Sequence, residues 1–154
     1  MSQSVSTQMR DDIAVIWIDN PPVNALSYHV RGGIVDALEQ AQGRAKAVVL
    51  AGRSGTFIAG ADIREFGKPM IDPPLPAVCA SLEASGIPVI AVIEGNTLGG
   101  GLEISLSCHY RVAGPKAKFI PSFINIGLSG GELGTTYFLP KAVGRAKAAE
   151  ILMT

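Results

Sequence analysis

The stretch Gly95-Asn96-Thr97-Leu98-Gly99-Gly100-Gly101-Leu102-Glu103 decides how this sequence is read. It lies between two short apolar runs, Pro88 to Ile93 and Leu102 to Cys108. The first has the character of a strand buried on both faces, and the second that of a short apolar helix. A glycine-rich loop in that setting serves either of two ends. Glycine lets strand and helix pack closely, and it bares backbone N–H groups at the positive N-terminus of the helix, where an anion is stabilised. The loop is not a Walker A motif, since no Gly-Lys-Ser/Thr follows, and it is not a GxGxxG fingerprint. The residues alone leave close packing and ligand binding both open.

Working outward, a second segment of the same kind follows the turn Gly52-Arg53-Ser54-Gly55. It is Phe57-Ile58-Ala59-Gly60-Ala61-Asp62-Ile63, whose small residues leave N–H groups unobstructed. Upstream, Ile13 to Asp19 reads as a strand that ends at Asn20-Pro21-Pro22. Ser27 is placed to cap a helix with Val30, Ile34, Leu38 and Ala41 on its apolar face. Gly32-Gly33 inside that helix costs about 1 kcal/mol per glycine relative to alanine, which points to a close approach to its backbone. Ala47 to Ala51 reads as a buried strand. Pro73-Pro74-Leu75-Pro76 opens a helix that runs to Ala84, with Leu75, Val78 and Leu82 on one face. Tyr110 to Ala113 is a strand, and Ala146 to Met153 a helix. Strands alternating with helices predict an α/β domain with largely buried sheets.

Composition narrows the function. The chain has 154 residues, with 13 Lys plus Arg and 13 Asp plus Glu, so its formal net charge is zero. Neutral charge argues against a general nucleic-acid binder, which normally needs a basic face. Hydrophobic residues at 47% exclude a disordered chain, and charged residues at only 17% suggest apolar surface that other subunits or further chain would cover. No apolar run reaches membrane-spanning length, and Met1 to Asp12 is polar without a secretory core. Cys79 and Cys108 lack CxxC spacing and read as two buried free thiols. No Cys/His cluster suited to zinc is present in the sequence, so no metal is expected. These features predict a cytoplasmic protein.

Gly95 to Cys108, followed by His109-Tyr110-Arg111-Val112-Ala113, resembles the signature of the crotonase (enoyl-CoA hydratase/isomerase) superfamily. Phe57 to Ile63 resembles its other signature. The stretch from Ile18 through Phe66-Gly67-Lys68-Pro69 is similar to the hydratase/isomerase portion of multifunctional fatty-acid oxidation enzymes. The resemblance runs from Ile13 to Thr154 and implies a crotonase-like α/β spiral of ββα units. It also implies one core domain over residues 1–154 that lacks the usual C-terminal helical region, and a homo-oligomer, either a trimer or a dimer of trimers.

The same resemblance implies an acyl-CoA thioester as substrate and no cofactor. Backbone N–H groups at Ala61 and Gly100 would hold the thioester oxygen as it becomes an oxyanion. Losing one such donor costs roughly 3–4 kcal/mol of transition-state stabilisation. Ala59, Gly60, Asp62, Ile63, Arg64 and Gly99 fall where the family contacts acyl-CoA. Asp62 also suits a helix cap, and Arg64 suits a solvated surface cation. Glu103 matches the first catalytic glutamate of the hydratases. Its apolar neighbours, Leu102, Ile104 and Leu106, would raise its pKa towards acid–base use. The second hydratase glutamate aligns with Phe123, which cannot transfer a proton. Glu132 falls near an acid used by some isomerases, and it equally suits the cap of a helix beginning near Gly134. His109 reads as a structural histidine and His29 as a surface one. The expected activity is therefore hydration or isomerisation of an enoyl-CoA through a stabilised enolate. The alternative is an inactive acyl-CoA-binding or self-assembling module.

Overall fold

The computed structural model describes residues 4–122 and 134–153. Its main sheet has five strands, β1 (Val5–Arg10), β2 (Ile13–Ile18), β3 (Ala47–Gly52), β4 (Val89–Ile93) and β6 (Tyr110–Ala113), in that spatial order. β1 runs antiparallel to β2, and every later pair is parallel. A second, two-stranded parallel sheet joins β5 (Asn96–Leu98) to β7 (Lys118–Ile120). Five α-helices complete the described residues: α1 (Tyr28–Ala41), α2 (Leu75–Glu83), α3 (Gly100–Ser107), α4 (Thr135–Val143) and α5 (Arg145–Met153).

The strands of the main sheet form where β-branched residues run together. Ile16, Ile18, Val48, Leu50, Val89, Ala91 and Ile93 are all buried. They meet the apolar stripe of α1, in which Val30, Ile34, Leu38 and Ala41 are buried as their spacing predicts. Ser27 caps α1, its hydroxyl accepting the Val30 N–H at 3.4 Å. α2 buries Leu75, Val78 and Leu82 against α1 and α3. Of the two glycines in α1, Gly33 has its cause in β1. A side chain on Gly33 would meet Val5 Cβ at 2.8 Å, so the helix backbone lies directly on that residue. Cys79 and Cys108 are free and buried, and burial pushes both thiols up to about 12.

β1 is absent from the sequence reading, which takes Met1 to Asp12 as polar. Its burial explains why. Only Val5 of the strand is buried, so β1 carries no alternating pattern. It exists because β2 offers an unpaired edge and the turn at Asp11, with φ +51°, reverses the chain. β5 and β7 are three residues each and lie below the length at which periodicity can be recognised.

Candidate active site

The two small-residue segments meet. Ile58 bridges Thr97, and Leu98 N–H bonds Ile58 O at 3.0 Å, so the Phe57–Ile63 stretch docks along β5. Each glycine of the triplet then has its own reason. Gly99 is the residue before α3 and has φ +48°. A Cβ on Gly101 would run into the Ile58 carbonyl oxygen, so α3 lies with its backbone against that of the other segment. A Cβ on Gly100 would meet Leu26 Cδ1 and Leu75 Cδ2, both at 2.9 Å. Close packing and a bared N–H thus coexist in one loop. Gly100 opens α3, so its N–H has no partner within the helix.

Ala61 reaches the same place from the other side. Leu26 bridges Ala61 and donates its N–H to Gly60 O at 2.9 Å. Leu26 is therefore the common neighbour of both expected donors. Ala61 and Gly100 face one cavity of about 810 Å³, whose wall is largely apolar and includes Phe66, Met70, Ile71 and Leu75. Among the described residues, nothing accepts a hydrogen bond from either N–H.

The remaining expected contacts divide. Ala59, Gly60, Asp62, Ile63 and Gly99 line the cavity; Arg64 and Glu103 do not. Asp62 is buried and accepts the Arg64 N–H at 3.0 Å, capping a short 3-10 turn over Ile63–Glu65. Its carboxylate also takes Arg64 Nη2 at 2.6 Å, and that guanidinium holds the Asp62 carboxyl below its usual value. Glu132 and Phe123 lie outside the described residues. His109 is structural, its Nδ1 accepting the Val89 N–H at 3.2 Å, and His29 is exposed.

Glu103 is fully buried. It stands one turn after Gly100 and therefore on the same face of α3. Its Oε1 accepts both the Thr135 N–H at 3.1 Å and the Thr135 hydroxyl at 2.9 Å. Glu103 thereby binds the N-terminus of α4. Its Oε2 is buried and has no partner among the described residues. Burial pushes the carboxyl up to about 7, against the opposing pull of the two Thr135 bonds.

Three residues of this region escape the sequence reading. Asn24 is buried with φ +54°, and its Nδ2 donates to Arg53 O and Thr56 O at 3.1 and 2.8 Å. Arg31 is buried, and its guanidinium donates to Leu26 O, Ile71 O, Pro73 O and Glu65 Oε2. Glu65 in turn accepts the Tyr28 N–H, at the start of α1, at 2.7 Å. Arg31 left a signal. It sits three and seven residues before Ile34 and Leu38, on the apolar stripe of its helix, where a cation requires partners.

A family model for enoyl-CoA hydratase/isomerase matches residues 8–154. Among curated relatives, a peroxisomal bifunctional enzyme of Danio rerio is 43% identical over 148 residues, which is 95% of this chain and 20% of that protein. The peroxisomal fatty acid β-oxidation multifunctional protein AIM1 of Arabidopsis thaliana is 39% identical over 153 residues, covering 93% of this chain and 21% of that protein. The chain thus spans about a fifth of the curated relatives it matches. Among solved structures, an enoyl-CoA hydratase of Thermoplasma volcanium superposes with TM-score 0.87 at 30% identity, over 99% of this chain and 64% of that one. An enoyl-CoA hydratase of Bacillus anthracis gives TM-score 0.88 at 27% identity, over 97% and 62%. The fold is accordingly the crotonase-like α/β spiral. The expectation of a cytoplasmic location is corrected by the relatives, which are peroxisomal or glyoxysomal proteins. A polar N-terminus and unpaired cysteines do not distinguish those compartments from the cytoplasm.

Proposed function

The chain belongs to the enoyl-CoA hydratase/isomerase family, and we propose that it moves or hydrates the double bond of an enoyl-CoA in fatty-acid oxidation. The observation that carries this reading is the pair of N–H groups, Ala61 and Gly100, that have no acceptor among the described residues and lie at one apolar cavity. A thioester oxygen held by both would be stabilised as the α-proton leaves and an enolate forms. Glu103 would take that proton. A carboxyl with a pKa of about 7 both accepts and returns a proton near neutrality.

Isomerisation needs no more than this. A proton leaves the α-carbon of a 3-enoyl thioester, the double bond shifts to the 2-position, and the same proton returns at the γ-carbon. One carboxylate serves both transfers, and Glu132 is a second candidate for the return. Hydration by two carboxylates is less well served, because Phe123 stands at the second position. The steps balance with acyl-CoA as substrate and no metal or redox group. Turnover of a 3-enoyl-CoA and of crotonyl-CoA by wild type and by Glu103→Gln tests the reading. Equal rates in both proteins remove Glu103 from the mechanism.

The engaged Oε1 of Glu103 and its absence from the cavity wall favour a second reading, an acyl-CoA-binding module without turnover. Calorimetry with an acyl-CoA separates the two, since tight binding without turnover supports the module. We also propose self-association. Tyr110 and Val112 on the outer strand β6, with Phe119 and Ile120 on β7, are exposed apolar residues suited to a partner copy. A monodisperse monomer in light scattering contradicts it.

A further inference from the structure

One buried side chain, Arg31, spans the Ala61 half of the cavity. The segment from Asp62 to Pro73 leaves the fold after Ala61 and returns to it at α2. Arg31 grips both of its ends. Nε donates to Pro73 O at 2.7 Å and Nη2 to Ile71 O at 3.0 Å, at the return. Nη1 donates to Leu26 O at 2.8 Å and to Glu65 Oε2 at 2.9 Å, at the departure. Leu26 is the residue whose own N–H holds Gly60 O, next to Ala61. Glu65 completes the latch by accepting the Tyr28 N–H from the helix that carries Arg31.

Arg31 is one of the residues lining the cavity, and it is not a free cation there. Glu65 pairs with it, and three backbone carbonyls take its remaining reach. We propose that Arg31, latched to Glu65, is a positioning residue that sets the Ala61 N–H against the Gly100 N–H for one shared oxyanion. The proposal rests on the reading of that pair given above. It goes beyond it in assigning the alignment to a side chain on α1, remote in sequence from both signature segments.

Arginine is required by its shape. Its planar fork reaches four acceptors in fixed directions, and the ammonium of lysine cannot reproduce that fan. Misplacing one donor by an ångström weakens binding of the transition state more than that of the substrate. The effect therefore falls on kcat and spares KM.

The test compares wild type, Arg31→Lys and Glu65→Gln, each checked for folding by circular dichroism. Glu65→Gln leaves the three carbonyl bonds of Arg31 in place, so it remains informative should Arg31→Lys not fold. Two readouts are used. The first is kcat and KM on a 3-enoyl-CoA and on crotonyl-CoA. The second is the absorption of bound cinnamoyl-CoA, which moves to longer wavelength when its carbonyl oxygen is polarised by hydrogen bonds. The expected result is a folded variant with kcat lowered about 10- to 100-fold, KM within about 3-fold, and a smaller wavelength shift. Folded variants with unchanged kcat and shift overturn the proposal and leave the functional reading intact. Loss of kcat only in proportion to loss of folded protein and of binding also overturns it, as a purely structural role. A wild-type protein that neither turns over substrate nor shifts the probe overturns the functional reading, and the positioning role with it.

Discussion

The two halves of the candidate site are held by opposite means. On the Gly100 side the backbone is fixed by the absence of atoms. Gly101 lies on the Ile58 carbonyl, Gly100 lies between Leu26 and Leu75, and α3 follows as a rigid element. On the Ala61 side the backbone is fixed by the presence of atoms. Asn24, Arg31, Asp62 and Glu65 reach across loops and bind carbonyls and N–H groups that no strand ladder satisfies. A pair of N–H donors is thus built from one half that fails when something is added and one that fails when something is removed.

That asymmetry can be broken in order of expected effect. Gly101→Ala puts a methyl against a backbone carbonyl that cannot turn away. It should destabilise the fold by about 3 kcal/mol, the upper part of the overpacking range, read from urea denaturation. A loss under about 1 kcal/mol would show that α3 can slide, and the contrast between the halves would fail.

Glu103→Gln keeps an oxygen for Thr135 and removes the titrating proton. Its kcat should fall about 100-fold or more, with the fold retained. Under the proposed mechanism, wild-type activity should rise with pH through about 7, where the Glu103 carboxylate forms. Stability runs the other way. The folded state holds this proton up to about 7, whereas an exposed glutamate releases it near 4.5. Between those pH values the native state binds more protons than the unfolded one, so stability falls as pH rises, by at most about 3 kcal/mol. Melting curves at pH 5 and pH 8 should show that fall in wild type and lack it in Glu103→Gln.

On the Ala61 side the expected losses are smaller and come from deletion. Asn24→Ala orphans the carbonyls of Arg53 and Thr56 and should cost about 2 kcal/mol in the same urea measurement. Ser27→Ala removes a long capping bond and should cost about 0.5 kcal/mol, the low end for an N-cap. Should Ser27→Ala exceed Asn24→Ala, the helix start rather than the loop-to-loop bonds would be what holds this half.

The sequence is most legible where local pattern and tertiary burial agree. The stripe of α1, the strands β2, β3 and β4, and the paired signature segments can all be read because each repeats one physical requirement over several residues. The expected donors, Ala61 and Gly100, face a common cavity, and Glu103 is buried as its apolar neighbours suggest. What escapes the reading is long-range polar bonding. Asn24 binds carbonyls 29 and 32 residues away, and Arg31 reaches backbone 40 and 42 residues away. No periodicity encodes such reach; only a polar residue on an apolar stripe hints at it. Arg64 reads from sequence either as an acyl-CoA contact or as a solvated surface cation, and its place against Asp62 depends on the tight 3-10 turn. The strands β5 and β7 are held by the docking of the glycine loop rather than by their own residues.

The contact between Val5 and Gly33 has a consequence for alignment. β1 shows solvent nearly everything except Val5, so hydrophobic alternation cannot choose its register against β2. A knob on the edge strand seated in a notch on the helix makes that choice instead. Sliding β1 by one residue would bring Ser4 or Ser6 to the notch and lift the knob onto the opposite face. A glycine that weakens a helix locally, Gly33, thus acts as a ruler, measuring where an otherwise featureless strand must begin.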